Sequence, residues 1–201
     1  MRAFTAPFFR LPLLALALSV LTACHHRLVS PQDVSVQGIM PDLSFQMTDA
    51  ATGKPLTADA LRGRTVLLYF GYTQCTDLCP ATMFDITRIE KQMGPAAANL
   101  AVLFVTVDPD RDNLTQLAKY AAIFGPNVIG LRGTPDQLAR LARRYRVAYS
   151  VTTTPTYTVS HTSSIYVFNA QGQAAFIVAG LDAGKPDITG IAQDLTAVAG
   201  Q

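Results

Sequence analysis

Two cysteines four positions apart, Cys75 and Cys79, are the residues of this chain most able to do chemistry. A histidine 82 positions beyond Cys79, His161, is the third. Thiols at this spacing can exchange with a disulfide, close on each other, or hold a soft metal ion. One helical turn separates Cα atoms by about 6 Å, within the range of a bridge, so a plain structural disulfide stands beside the reactive readings. Two sulfurs and an imidazole suit copper(I) better than magnesium, calcium or manganese, because thiolates are soft donors and imidazole is borderline. Copper(I) accepts three ligands, whereas zinc wants a fourth. Asp77, between the cysteines, could supply one, but an acid at a helix start also stabilises the first turn. The chain has five methionines, of which Met83 and Met93 fall on a core stripe where packing accounts for them. Taken alone, a histidine directly before a strand, as His161 is, is more often structural.

The elements that must position these groups are legible around them. Val66, Leu67, Leu68, Tyr69 and Phe70 form a continuous apolar run rich in strand formers, as a strand buried on both faces requires. Gly71 ends it. After the cysteines, Pro80 opens a segment with Met83, Ile86, Ile89 and Met93 at near-helical spacing. Proline suits a first helical turn, where its missing N–H has no partner to lose. It also disfavours helical dihedrals in the preceding residue, which places Cys79 at the N-cap and Cys75 in the loop before it. The positive helix end is expected to favour thiolate over thiol at both. Strand, dithiol loop and helix make the signature of a thioredoxin-like site with one residue more than C-x-x-C.

The rest of the chain alternates. Leu43, Phe45 and Met47, the turn residues Thr52, Gly53, Lys54 and Pro55, and then Leu56 predict a small N-terminal hairpin. Gly94-Pro95 stops the first helix. Residues 100–107 predict a second buried strand, the Asp108-Pro109-Asp110-Arg111-Asp112-Asn113 turn leads into a helix over 114–124, and 128–131 reads as a short strand. Thr134-Pro135 predicts the N-cap and first residue of a helix reaching about Tyr145. Residues 147–160 have no helical pattern and contain a proline, so they read as an excursion able to carry function. Residues 164–169 and 174–179 predict a hairpin, and 186–198 a closing helix. This order implies a three-layer α/β/α thioredoxin-like fold with an N-terminal β-hairpin.

Composition bounds the rest. The 201 residues, 49% apolar and 15% charged, suit one domain with appendages. Arg2 and Arg10 precede an apolar run, 11–21, that is short for a membrane span and has the layout of a secretory signal. It ends in Leu21-Thr22-Ala23-Cys24, which resembles a bacterial lipobox; an uncleaved signal anchor is the alternative. The resemblance implies cleavage before Cys24 and lipid on its sulfur. The expected organisation is a signal peptide over 1–23, a lipidated tether over 24–39 and a thioredoxin-like domain over 40–201. Cys75 and Cys79 are then the only thiols, and loss of two arginines brings the formal charge of +2 to zero. A neutral chain without a basic cluster leaves no nucleic-acid footprint, and its membrane attachment is expected through acyl chains. His25 and His26 could bind metal, although they also fit a solvated tether.

The motif Gly71-Tyr72-Thr73-Gln74-Cys75-Thr76-Asp77-Leu78-Cys79-Pro80 resembles the dithiol motif of the Sco/SenC family of copper chaperones. So do residues 107–112, 129–134, 145–147 and 159–162, in order along the chain. The resemblance implies a membrane-tethered, thioredoxin-like protein that delivers copper to the binuclear copper site of cytochrome c oxidase, or keeps it reduced. It implies copper, as Cu(I) or Cu(II), on Cys75, Cys79 and His161, with Cys75 and Cys79 also the redox dithiol. The expected partners are the copper-site subunit of the oxidase, periplasmic copper carriers and thioredoxin-like reductants. Gln74, Thr76 and Ser160 stand where members often carry His, Pro and an acid, and a lipobox stands in place of a transmembrane anchor. A thiol–disulfide oxidoreductase or redox sensor without metal is the competing function, and a peroxiredoxin-like peroxidase a third.

Overall fold

The computed structural model describes residues 28–181 and 184–200, so the signal segment, Cys24, His25 and His26 lie outside the described residues. In chain order the elements are β1 (Asp33–Ser35), β2 (Gln46–Asp49), β3 (Pro55–Thr57), β4 (Thr65–Gly71), α1 (Leu78–Met93), β5 (Leu100–Thr106), α2 (Leu114–Phe124), β6 (Val128–Arg132), α3 (Pro135–Arg144), β7 (Tyr149–Thr152), β8 (Thr158–His161), β9 (Ile165–Phe168), β10 (Ala174–Val178) and α4 (Ile188–Ala199). Eight strands form one sheet in the order β1-β10-β9-β4-β5-β6-β2-β3, and β7 pairs with β8 apart from it.

The apolar run at 65–71 is buried at every position because β4 lies mid-sheet with helices on both faces. Leu67 and Tyr69 pack with Met83, Ile86 and Leu195 from α1 and α4 on one face. Val66, Leu68 and Phe70 pack with Leu138 and Leu141 from α3 on the other. This is the three-layer α/β/α thioredoxin-like arrangement expected from the alternation. Asn113 and Thr134 start α2 and α3 through capping boxes with Gln116 and Gln137. The predicted hairpin at 43–56 forms as β2 and β3.

Three features differ from the sequence reading. Within the segment expected as a tether, β1 pairs antiparallel with β10, and the backbone N–H groups of Val29 and Ser30 donate to the Asp194 carboxylate on α4. Three residues with one buried side chain leave almost no periodic signal. The excursion at 147–160 is largely a hairpin, β7 and β8, whose strands pair only with each other and so show no continuous core face. The helix of the dithiol starts at Leu78, with Asp77 at the N-cap. Pro80 is then its third residue, still inside the first turn where no N–H is needed, and the local bias against a helical Cys79 is overridden.

The antiparallel register of β9 on β4 sets where the histidine arrives. Ile165 lies opposite Tyr69, so the residues just before β9 emerge at the end of the sheet where β4 finishes in Gly71.

Candidate metal and thiol centre

Cys79 sits in the first turn of α1 and is fully buried, whereas Cys75, in the preceding loop, is partly exposed. Both are free thiols. The backbone N–H of Cys79 donates to Cys75 Sγ at 3.2 Å, and that of Cys75 donates to the Tyr72 carbonyl at 3.2 Å. Gly71 makes the room. A Cβ there would meet the Phe104 ring at 2.7 Å and Cys79 Sγ at 3.3 Å, so the strand must end in glycine for the buried thiol to fit behind it.

His161, the last residue of β8, brings Nε2 to 3.5 Å from Cys79 Sγ. Its Nδ1 lies 3.0 Å from the Thr162 carbonyl. A carbonyl only accepts, so Nδ1–H donates to it and Nε2 is the ring nitrogen that faces the sulfur. Tyr69 and Tyr72 meet the imidazole edge-on, with centroids at 6.1 and 6.0 Å. Ser160, directly before this histidine, is exposed, and the Thr162 carbonyl orients the ring.

The expectation that the helix end makes both thiols acidic fails at Cys79. Burial pushes its thiol up to about 12, and hydrogen bonding with Cys75 adds to the rise. Desolvation of a fully buried sulfur outweighs a helix end whose field is worth about 1 kcal/mol. Cys79 Sγ stays within hydrogen-bond reach of His161 Nε2. Asp77 is exposed at the N-cap, the helix-start position that was one of its two readings. Met83 and Met93 are buried in the core, as the stripe predicts.

Among the described residues no three His, Cys, Asp or Glu side chains form a ready-made ligand cluster. The buried thiol and His161 are nonetheless neighbours, and Cys75 lies in the loop beside them. Two sulfurs and one neutral nitrogen fit a soft ion of low coordination. A cavity of about 820 Å³ lies between β2, β3 and α3, with neither cysteine nor His161 in its lining.

The sequence reading gave the acids after β5 only a turn and helix-start role, but Asn113 caps α2. Asp112 is fully buried and accepts from the Thr73 N–H at 2.9 Å, the Thr73 hydroxyl at 2.6 Å and the Thr106 hydroxyl at 2.6 Å. It thereby fixes the loop that carries Cys75. Asp108, 1% exposed, accepts from Arg111 Nε and from the Tyr157 hydroxyl at 2.6 Å. Arg132 donates to the Pro109 and Asp112 carbonyls and holds the turn itself. Two acids placed directly after a buried strand are the signal that could have found this.

The thioredoxin-like sheet thus carries a dithiol at a helix start and a histidine delivered to the buried sulfur by a separate hairpin. The comparisons with known proteins narrow the class. The chain belongs to the SCO1/SenC family, whose model matches residues 40–198. The "Protein SCO2 homolog, mitochondrial" of Bos taurus is 38% identical over 116 residues, 55% of this chain and 44% of that protein. This chain thus spans under half the length of that relative. The structure of Bradyrhizobium japonicum ScoI with copper bound matches at a TM-score of 0.67 and 33% identity, over 78% of this chain and 98% of that one. BsSco, described as a member of the Sco family of cytochrome c oxidase assembly proteins, has a TM-score of 0.64 over 80% of this chain and 94% of its own. At 22% identity it bears on the fold alone.

Proposed function

We propose that this protein is a copper-binding metallochaperone that holds copper through Cys75, Cys79 and His161. It serves the copper site of cytochrome c oxidase, either by delivering the metal or by keeping that site's thiols reduced. The observation that carries the reading is the 3.5 Å approach of His161 Nε2 to Cys79 Sγ. A dithiol working by exchange alone has no use for a distal lone pair aimed at its buried sulfur. Copper is the cargo: binding draws the proton from Cys79, and His161 keeps Nε2 available because Nδ1–H is engaged by Thr162. The partly exposed Cys75 is the sulfur from which the ion passes on. The copper-bound ScoI relative supports the choice of metal.

The client is the copper-site subunit of the oxidase, with periplasmic copper carriers as the source and thioredoxin-like reductants restoring the thiols. Export to the periplasmic side of a bacterial membrane, with lipid on Cys24, completes the reading and rests on the sequence pattern at 21–24. Among the described residues no helix is long and apolar enough to cross a membrane.

A thiol–disulfide oxidoreductase is the second reading, favoured by an exposed sulfur beside a buried one. Cys75 would attack a client disulfide and Cys79 would resolve the mixed disulfide, passing two electrons and two protons to the client. An anaerobic Cu(I) titration with thiol counting separates the two. One ion per chain should protect both cysteines from alkylation. His161→Ala should weaken binding at least ~10-fold and still form the Cys75–Cys79 disulfide. Equal affinity in that variant would hand the site to the oxidoreductase.

A further inference from the structure

The hairpin that carries His161 has no place in the eight-stranded sheet, and a two-stranded ribbon is marginal by itself in water. Something outside its own ladder must hold it against the body. Along residues 157–161 burial alternates: Thr158 and Ser160 are exposed, whereas Tyr157, Val159 and His161 are partly covered. Those three side chains form the face turned toward the domain. Val159 adds only apolar contact to the core. Tyr157 makes the directional contacts. Its hydroxyl donates to Asp108 Oδ1 at 2.6 Å, and the Arg111 guanidinium lies 3.7 Å over its ring. Arg111 in turn donates to Asp108 and to Gln74 Oε1 in the dithiol loop. A buried carboxylate and a stacked cation thus fix the hairpin four residues before the histidine.

We infer that Tyr157 is the positioning residue for His161: its hydrogen bond to Asp108 and its stack on Arg111 hold the β7–β8 hairpin so that Nε2 meets the dithiol. The inference rests on the proposed use of His161 but is readable without metal. Asp112 fixes the Cys75 side of the site and Asp108, through Tyr157, fixes the His161 side, so one turn at 108–112 sets both halves in register.

The experiment uses the full mature chain with Tyr157→Phe, which keeps the ring and loses the hydroxyl, and Tyr157→Leu, which loses both contacts. In the metal-free protein, the His161 ring resonances, shifted by Tyr69 and Tyr72, should broaden and move toward solvent-exposed values, more in the Leu variant. Cu(I) affinity against a chromophoric chelator should fall about tenfold in Tyr157→Phe, while Cys75–Cys79 disulfide formation keeps its wild-type rate. In a His161→Ala background Tyr157→Phe should cost no further affinity, because the tyrosine acts through the histidine. Unmoved His161 resonances, or affinity losses that simply add, would overturn the assignment. Should His161→Ala bind copper normally, the metal reading falls and the resonances still decide the role of Tyr157. If Tyr157→Phe does not fold, Arg111→Gln removes the stack together with the guanidinium contacts to Asp108 and Gln74 while keeping the Tyr157 hydroxyl, and is read by the same resonances.

Discussion

Cys79 Sγ and His161 Nε2 stand 3.5 Å apart although 82 positions of chain separate them. The sulfur belongs to a helix start and the nitrogen to a hairpin, and the pairing of Ile165 with Tyr69 brings the two to one end of the sheet. The consequence in the metal-free protein is a division of labour between the thiols. Cys75 is accessible, whereas Cys79 is buried and its thiol is raised to about 12. At neutral pH a thiol reagent should modify Cys75 first, with Cys79 lagging by orders of magnitude. A raised thiol gains thiolate only as pH climbs, so the Cys79 rate should grow about tenfold per pH unit between pH 7 and 10. Mass mapping of partly alkylated protein measures this; equal labelling of both cysteines at pH 7 would refute it.

Gly71 carries a steric prediction. Gly71→Ala sets a methyl against the Phe104 ring at 2.7 Å and presses toward Cys79 Sγ. Neither neighbour has space to retreat in a closely packed core, so the variant should lose about 1–3 kcal/mol of stability. Denaturant unfolding reads the loss, and an unchanged midpoint would mean that the strand end relaxes freely.

Asp112→Ala tests the loop on the cysteine side. It leaves the Thr73 N–H, the Thr73 hydroxyl and the Thr106 hydroxyl without their acceptor. Donors to a charged group are worth about 1.5–3 kcal/mol each, so a loss of at least about 2 kcal/mol is expected. Amide exchange should quicken over residues 73–75 more than at β5. A variant as stable as wild type, with an unaltered loop, would show that the carboxylate is dispensable.

Asp33 gives β1 a pH dependence. Burial pushes its carboxyl from the ordinary 3.8 up to about 8, with the Asp194 and Asp187 carboxylates adding to the rise. A folded value above the unfolded one means the stabilising contribution is complete below about 4. It is lost progressively as pH rises and is gone above about 8. Wild type should therefore lose stability against Asp33→Asn across that window, with exchange of the Val29 and Ser30 amides rising in parallel. Superimposable pH profiles for the two proteins would exclude the linkage.

Long, strongly patterned elements were legible in the sequence. Residues 65–71 and 100–106 are apolar at nearly every position and fold as central strands, and Thr134-Pro135 starts a helix as expected. The two cysteines and His161 were legible as candidates because few other side chains carry that chemistry. What escaped depends on partners distant in sequence. Asp33–Ser35 become a strand only because β10 offers an edge, and Asp108 is committed to Tyr157, 49 positions away. The thiol of Cys79 was misjudged for the same reason: its helix start is visible in the sequence, but the burial that outweighs it is tertiary.

The eight-stranded sheet ends on both sides in three-residue strands, β1 and β3, and β3 begins with Pro55, which has no N–H to offer. An incoming peptide seeking to extend the sheet would find a ladder too short to grip on either flank. Among the described residues, strand addition and edge-to-edge pairing along this sheet are thereby disfavoured. The flanks of the sheet thus offer a partner side chains and loops rather than a backbone ladder.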